Sequence, residues 1–406
     1  MVNRDERQNT QVSDWATKFS ARGFLIAATG YGKSHVAIKS IQLCNERDVE
    51  RKIHVVVPTS VLKEAWVKKK KGHIDKYKLK NVEVFVVNTY VKMSRECDLL
   101  ICDELHRYSN EKAYLFSKVV GETKYNWFLG LSATLEQHHL NFLSLKNIKK
   151  IDEVPLSECK ANGWVSDFEV VNFGVELDEV DKAYYDGLHK AFNKHFAIFN
   201  HDFDVAMQCL CNTDFRTERA RQLGVEPKRL MIEAVLWNKN MRERKEFLYH
   251  CHAKMMVGKE LSKLDKHIIG FSESVKFIEE LKQEIGDNAV TFHSKNGVKA
   301  NREALKKFTD RRTRVNCLLT AKAMDEGFDA PDANLAIIYS RTSKQLQQTQ
   351  RVGRLIRSQE GKKAYIVNLY VKNSQDEVWL KKASKGMKCL WLDDLELLKT
   401  LINGRS

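Results

Sequence analysis

Eight residues, Ala27-Ala28-Thr29-Gly30-Tyr31-Gly32-Lys33-Ser34, follow the apolar run Phe24-Leu25-Ile26 and open an amphipathic stretch. A strand that enters a glycine loop and leaves as a helix has few ways to fold, because such a turn needs backbone angles that side chains resist. Gly30 and Gly32 let the loop turn its N–H groups toward a phosphate chain, Lys33 can reach the outer phosphates, and the Ser34 hydroxyl suits Mg²⁺. Thr29, Gly30, Tyr31, Gly32, Lys33 and Ser34 are therefore the expected cradle for ATP and its Mg²⁺. Ala27 stands where the usual pattern has glycine, so the loop alone is also compatible with a plain strand-turn-helix.

A second group, Asp103-Glu104-Leu105-His106, closes the apolar run at residues 99–102. Ligands of open α/β sheets collect at such strand ends. Asp103 can hold Mg²⁺ and Glu104 can deprotonate an attacking water, which suits hydrolysis of a γ-phosphoryl group; the bland alternative is a charged loop. Ser132-Ala133-Thr134 follows the run at 127–131, and Asp325-Glu326-Gly327-Phe328-Asp329-Ala330-Pro331 and Gln347-Gln348-Thr349-Gln350-Arg351-Val352-Gly353-Arg354-Leu355-Ile356-Arg357 come later.

In this order the motifs resemble superfamily 2 helicases of the DExH type, most of all the XPB and bacteriophage UvsW group of DNA helicases. The resemblance covers the chain except for about a hundred residues in the middle and a short tail. It implies two tandem RecA-like domains and a catalytic set of Lys33, Asp103, Glu104, Gln350, Arg354 and Arg357. Glu104 would be the base, Gln350 would sense the γ-phosphate, and Arg354 and Arg357, three apart on a helix, would reach the nucleotide when the domains close. Gly327 and Asp329 match a segment touching nucleotide and nucleic-acid backbone. His106, Ser132 and Thr134 would couple nucleotide state to nucleic-acid binding. Arg7 and Gln11, with Gln11 twenty-two residues before Lys33, resemble the adenine-reading segment, although the family's aromatic before the glutamine is Thr10 here. Pro58-Thr59-Ser60 resembles the first phosphate-gripping motif.

Composition narrows the partner. Of 406 residues, 68 are Lys or Arg and 53 Asp or Glu, a net charge of +15 that favours a polyanion. No long apolar segment or amphipathic anchor points to a membrane, and the N-terminus lacks the apolar core of a signal peptide, so a cytoplasmic protein is expected. Nine scattered cysteines read as small buried hydrophobes in a reducing compartment. Cys209-Leu210-Cys211 and His250-Cys251-His252 lack the spacing of a zinc finger or ribbon.

Apolar runs near 24–28, 53–57, 82–87, 99–102 and 127–131 alternate with longer amphipathic stretches, the rhythm of a parallel sheet covered by helices. A second series runs through 267–271, 289–292, 317–320, 335–339 and 365–369, without a phosphate loop. The expected architecture is α/β: a RecA-like ATP-binding domain (1–155), a helix-rich connector or insertion (156–262), a second RecA-like domain (263–375) and a helical tail (376–406). Residues 176–261 lack strand alternation. Their aromatics, at helical spacing, read mostly as core, while Arg242, Arg244 and Lys245 are either nucleic-acid contacts or a solvated face, as is the lysine run at 68–71.

The expectation is an ATP-dependent, monomeric DNA helicase or translocase acting on duplex, forked or branched DNA in repair, recombination or replication. An RNA helicase would share every ATPase residue, so RNA remains the alternative partner. A non-catalytic scaffold is the other, and it would be expected to lack Lys33, Glu104 or Arg354.

Overall fold

The computed structural model describes residues 3–93, 95–110, 114–164, 167–321, 333–340, 363–385 and 388–404. They form two compact units, the first built mainly from residues up to Glu169 and the second from 170–321, 337–340 and 367–404.

The first unit carries a six-stranded sheet of β1 (Arg22–Ala27), β2 (Ile53–Val57), β3 (Val82–Val86), β4 (Glu96–Asp103), β5 (Lys124–Ser132) and β6 (Lys149–Val154), in the order β3-β2-β4-β5-β1-β6. Every pairing is parallel, so the four inner strands β1, β2, β4 and β5 run as largely buried apolar segments and the carboxyl ends of the strands share one edge. Phe24, Val56, Leu100, Leu105 and Phe128 meet in a core cluster with Cys97 and Cys102. Burial pushes the Cys97 thiol up to about 12 and raises that of Cys102 well above its ordinary value, as befits cysteines used as small apolar groups. The helix Arg4–Thr17 buries Gln8, Gln11, Val12 and Trp15, a stripe at helical spacing, and Trp15 Nε1 donates to the Phe128 carbonyl at 2.8 Å.

A seven-stranded sheet, most of it in the second unit, carries β7 (Asp167–Val175), β8 (Ile268–Ser272), β9 (Ala289–Phe292), β10 (Cys317–Ala321), β11 (Leu335–Ile338), β12 (Lys363–Val371) and β13 (Leu390–Leu392), in the order β13-β7-β12-β11-β8-β10-β9. All five expected strands of this series are present. β6, β7 and β13 are additional, and the tail, expected to be helical, contains β13, paired in parallel with β7. Three residues are too few to show an alternation, so β13 leaves no pattern in the sequence.

Residues 179–262 are helical, with Glu179–Phe196 lying along Pro227–Tyr249 and two shorter helices, Phe203–Cys211 and Thr213–Leu223, closing the bundle. Its core is Trp237 with Phe192, Phe199, Leu230 and Ala234, and Phe196 stacks on Trp237 at 5.5 Å. The bundle's end is pinned by Lys254, fully buried, whose ammonium donates to the Leu248 and Tyr339 carbonyls and to Asp376 Oδ2 at 2.5 Å. Satisfying all three donors offsets the desolvation of that charge.

Candidate nucleotide site

The sheet order places the chemistry. β1 delivers the glycine loop, β5 beside it delivers Ser132, and β4 beside β5 delivers Asp103, so three neighbouring strands open onto one edge. Gly30 and Gly32 take φ of 91° and 96°, the left-handed region the loop requires. The helix Lys33–Arg47 starts on Gly32 with no side-chain cap, which leaves its first N–H groups to the ligand side. Lys33 Nζ donates to the Ala27 carbonyl at 3.0 Å, within the loop it would serve.

Asp103 ends β4 almost fully buried, and its Oδ1 accepts the Glu104 N–H at 3.1 Å. Burial and the neighbouring Glu104 raise its pKa above the ordinary carboxylate value, while Lys33 pulls it down. A buried carboxylate that resists ionisation beside a second carboxylate is a donor set suited to a divalent cation. Glu104 sits at φ 56°, ψ 54°, a strained conformation for a non-glycine residue that breaks the extended path of β4.

His106 Nδ1 lies 3.3 Å from Ser132 Oγ and 3.5 Å from Glu104 Oε2. Ser132 gives its one hydroxyl proton to the Thr134 carbonyl at 2.8 Å, so it accepts from His106, whose Nδ1 carries the hydrogen. Burial pushes the imidazole down to about 4, so it is neutral at physiological pH. The structure thus joins His106, Ser132, Thr134 and Glu104 in one chain of contacts. Just beyond, Glu136, His138 and His139 hold ligand atoms within 4.8 Å of one another, but His139 Nδ1 accepts the Glu136 N–H in a capping box that starts the helix Gln137–Leu145.

Arg7 and Gln11 do share the site's rim, but through a partner the sequence reading did not contain. Arg7 Nε and Nη2 donate to Asp152 Oδ2 and Oδ1 at 2.8 and 3.0 Å, and Gln11 Nε2 donates to Oδ2 at 2.7 Å. The hydroxyl of Tyr31, a residue buried in the loop itself, donates to Gln11 Oε1 at 3.0 Å, and its ring lies 5.5 Å from Trp164. Gln8 was also missed; its Nε2 donates to the Tyr31 carbonyl at 3.1 Å and approaches that of Gly32 at 3.5 Å. Its signal was available, since Gln8 lies three residues before Gln11 on the same helix face.

Thr59 Oγ1 accepts the Leu62 N–H at 3.3 Å as cap of the helix Ser60–Val67, with Pro58 buried and Ser60 exposed beside it. Lys68-Lys69-Lys70-Lys71 is exposed. Arg242 faces solvent, and Lys245 is half-buried with its ammonium 5.3 Å from the Tyr249 ring centre. Arg244 corrects the expectation of a nucleic-acid contact: it is 4% exposed, its guanidinium lies 3.9 Å over the Phe192 ring and Nη1 donates to His189 Nδ1 at 2.9 Å. Gly327, Asp329, Gln350, Arg354 and Arg357 lie outside the described residues.

Two family patterns match the chain: residues 3–96 match the res subunit of type III restriction enzymes, and residues 250–359 the helicase conserved C-terminal domain. The chain is 25% identical over 381 residues to the DNA 3'-5' translocase XPB2 of Sulfurisphaera tokodaii, covering 87% of this chain and 79% of that protein. Among solved structures, the Pyrococcus furiosus Hef helicase domain has a TM-score of 0.55 at 16% identity, covering 94% of this chain and 99% of that one. S. cerevisiae Dbp5 bound to RNA and ADP BeF3 has a TM-score of 0.59 at 12% identity, covering 94% and 89%.

Proposed function

This chain belongs to the superfamily 2 helicases, nucleic-acid-dependent ATPases, with an XPB-like relative, and on that premise we propose that it translocates on DNA in the 3'-5' direction. The observation that carries the ATPase reading is the convergence of Lys33, Asp103, Glu104, His106 and Ser132 on the edge formed by β1, β4 and β5. Lys33 and the amides of its helix neutralise phosphate charge, Ser34 and Asp103 hold Mg²⁺, and Glu104 takes the proton of the attacking water. Ser34 and Asp103 would hold the Mg²⁺, which when bound would supply stabilisation of phosphate charge. His106 and Ser132 then sense the state of Glu104, because the three lie in one chain of contacts. Arg7, Gln8 and Gln11 read the adenine. By resemblance, Gln350, Arg354 and Arg357 act on the transferring phosphoryl group, and Gly327 and Asp329 contact nucleotide and backbone.

The outward face of Pro227–Tyr249, where Lys228, Lys239 and Arg242 are exposed, grips a second stretch of a duplex, forked or branched DNA. Pro58, Thr59 and Ser60 hold the strand being tracked, and the enzyme acts as a monomer in repair, recombination or replication. The test is hydrolysis of ATP in the presence of single-stranded, duplex and forked DNA and of RNA. DNA should stimulate turnover, with fork strongest; stimulation by RNA alone would replace this reading with the RNA helicase.

A further inference from the structure

Asp152 lies at an irregularity in β6. Phe24 of β1 pairs with Lys150 but Leu25 pairs with Asp152, so Ile151 is an extra residue. A strand that gains one residue changes which face its next side chain takes, and such bulges re-aim side chains near active sites. The space for it comes from Gly23, where a Cβ would stand 2.6 Å from Ile151 Cγ1. The two residues that follow, Glu153 and Val154, rejoin the register alongside Ile26 and Ala27 as β1 enters the phosphate loop.

The re-aimed carboxylate is saturated. Oδ2 accepts from Arg7 Nε and Gln11 Nε2, and Oδ1 accepts from Arg7 Nη2 and from the Glu153 N–H at 2.8 Å. Because Asp152 takes the amide nitrogen of Gln11, the amide oxygen must face the other way, where it accepts the Tyr31 hydroxyl. The carboxylate thus dictates the plane of one guanidinium, the orientation of one amide and the proton direction of one phenol. These groups read the donor and acceptor pattern of a base edge.

We infer that Asp152 is a positioning residue that sets base selectivity in the ATP site, an inference that rests on the ATPase reading above. It works through Arg7, Gln11 and Tyr31, and has no contact with Lys33, Asp103 or Glu104 among the described hydrogen bonds.

The experiment compares Asp152→Asn with the parent in DNA-stimulated hydrolysis of ATP and of GTP, and in inhibition by inorganic tripolyphosphate. The variant should raise KM for ATP about tenfold with kcat within about threefold, and bring the ratio of kcat/KM for ATP over GTP toward one. Tripolyphosphate, which has no base, should inhibit both proteins equally. Unchanged KM and base preference would overturn the assignment, as would tripolyphosphate inhibition that weakens in step with KM, since Asp152 would then only shape the loop. If Asp152→Asn does not fold, Tyr31→Phe and Gln11→Met decide by the same readouts. A parent that hydrolyses no nucleotide removes the ATPase reading and this proposal with it; an active parent with an unaltered variant removes the proposal alone.

Discussion

The rim of the phosphate loop and the helical bundle of the second unit each hold an arginine against neighbouring side chains, yet they use it oppositely. Arg7 lies against a carboxylate, half-exposed, with its pKa raised by the hydrogen bonds to Asp152. Arg244 lies against an aromatic face and a neutral histidine, with its pKa lowered by burial. An arginine whose charge is matched keeps a fixed plane that a ligand can use, whereas one sunk on a ring and an imidazole has become a packing element. Surrounding groups therefore tell more about what an arginine does than its residue type or its place in a basic run.

The nucleotide side is where a single atom should matter most. If Glu104 is the base, Glu104→Gln keeps the shape and loses the proton acceptor, so turnover should fall about a hundredfold or more while ATP affinity changes only a few fold. Single-turnover hydrolysis alongside equilibrium nucleotide binding separates the two. Turnover near that of the parent would leave the chemistry of the first unit without its base, and the contrast between a reactive rim and a packed bundle would fail.

The bundle should respond in stability instead. Arg244→Ala removes the contact with Phe192 and the bond to His189, and should cost about 2 to 3 kcal/mol in chemical denaturation. The exposed Arg242→Ala should cost under about 0.5 kcal/mol. Equal, small losses for the two would mean that Arg244 is not the packing element the structure makes it.

That distinction also marks how far the sequence can be read. Lys33, Asp103 and Ser132 were legible because each belongs to a short contiguous string that ends an apolar run, and strand ends converge by topology. Asp152 was not, since its partners lie 141 and 145 residues away and its orientation depends on one extra residue in a strand. Arg244 was misplaced for a reason the sequence does contain. Successive helical residues are about 100° apart, so Arg242, Arg244 and Lys245 cannot all share one face. The strands β6 and β7 were hidden by charged residues within them, at Asp152 and Glu153 and at Asp167 and Glu169.

The smallest effect tests what is left of the basic cluster. Along Pro227–Tyr249, Lys228, Lys239 and Arg242 fall at exposed positions eleven and three residues apart, and this spacing returns to one side of the helix. Each cation that meets a phosphate releases a counterion, so a double change of Lys239 and Arg242 to Ala should flatten the salt dependence of fork binding by up to about two in the log–log slope. DNA-stimulated hydrolysis on a simple duplex should persist, because the first unit's residues are untouched. Lys239 also lies 3.8 Å from Glu243, a weak exposed pair, so its loss should leave the bundle's stability unchanged and the binding readout clean. A slope identical to the parent's would make this face solvated surface, and the bundle would then contribute packing alone, with Arg244 as its type residue rather than its exception.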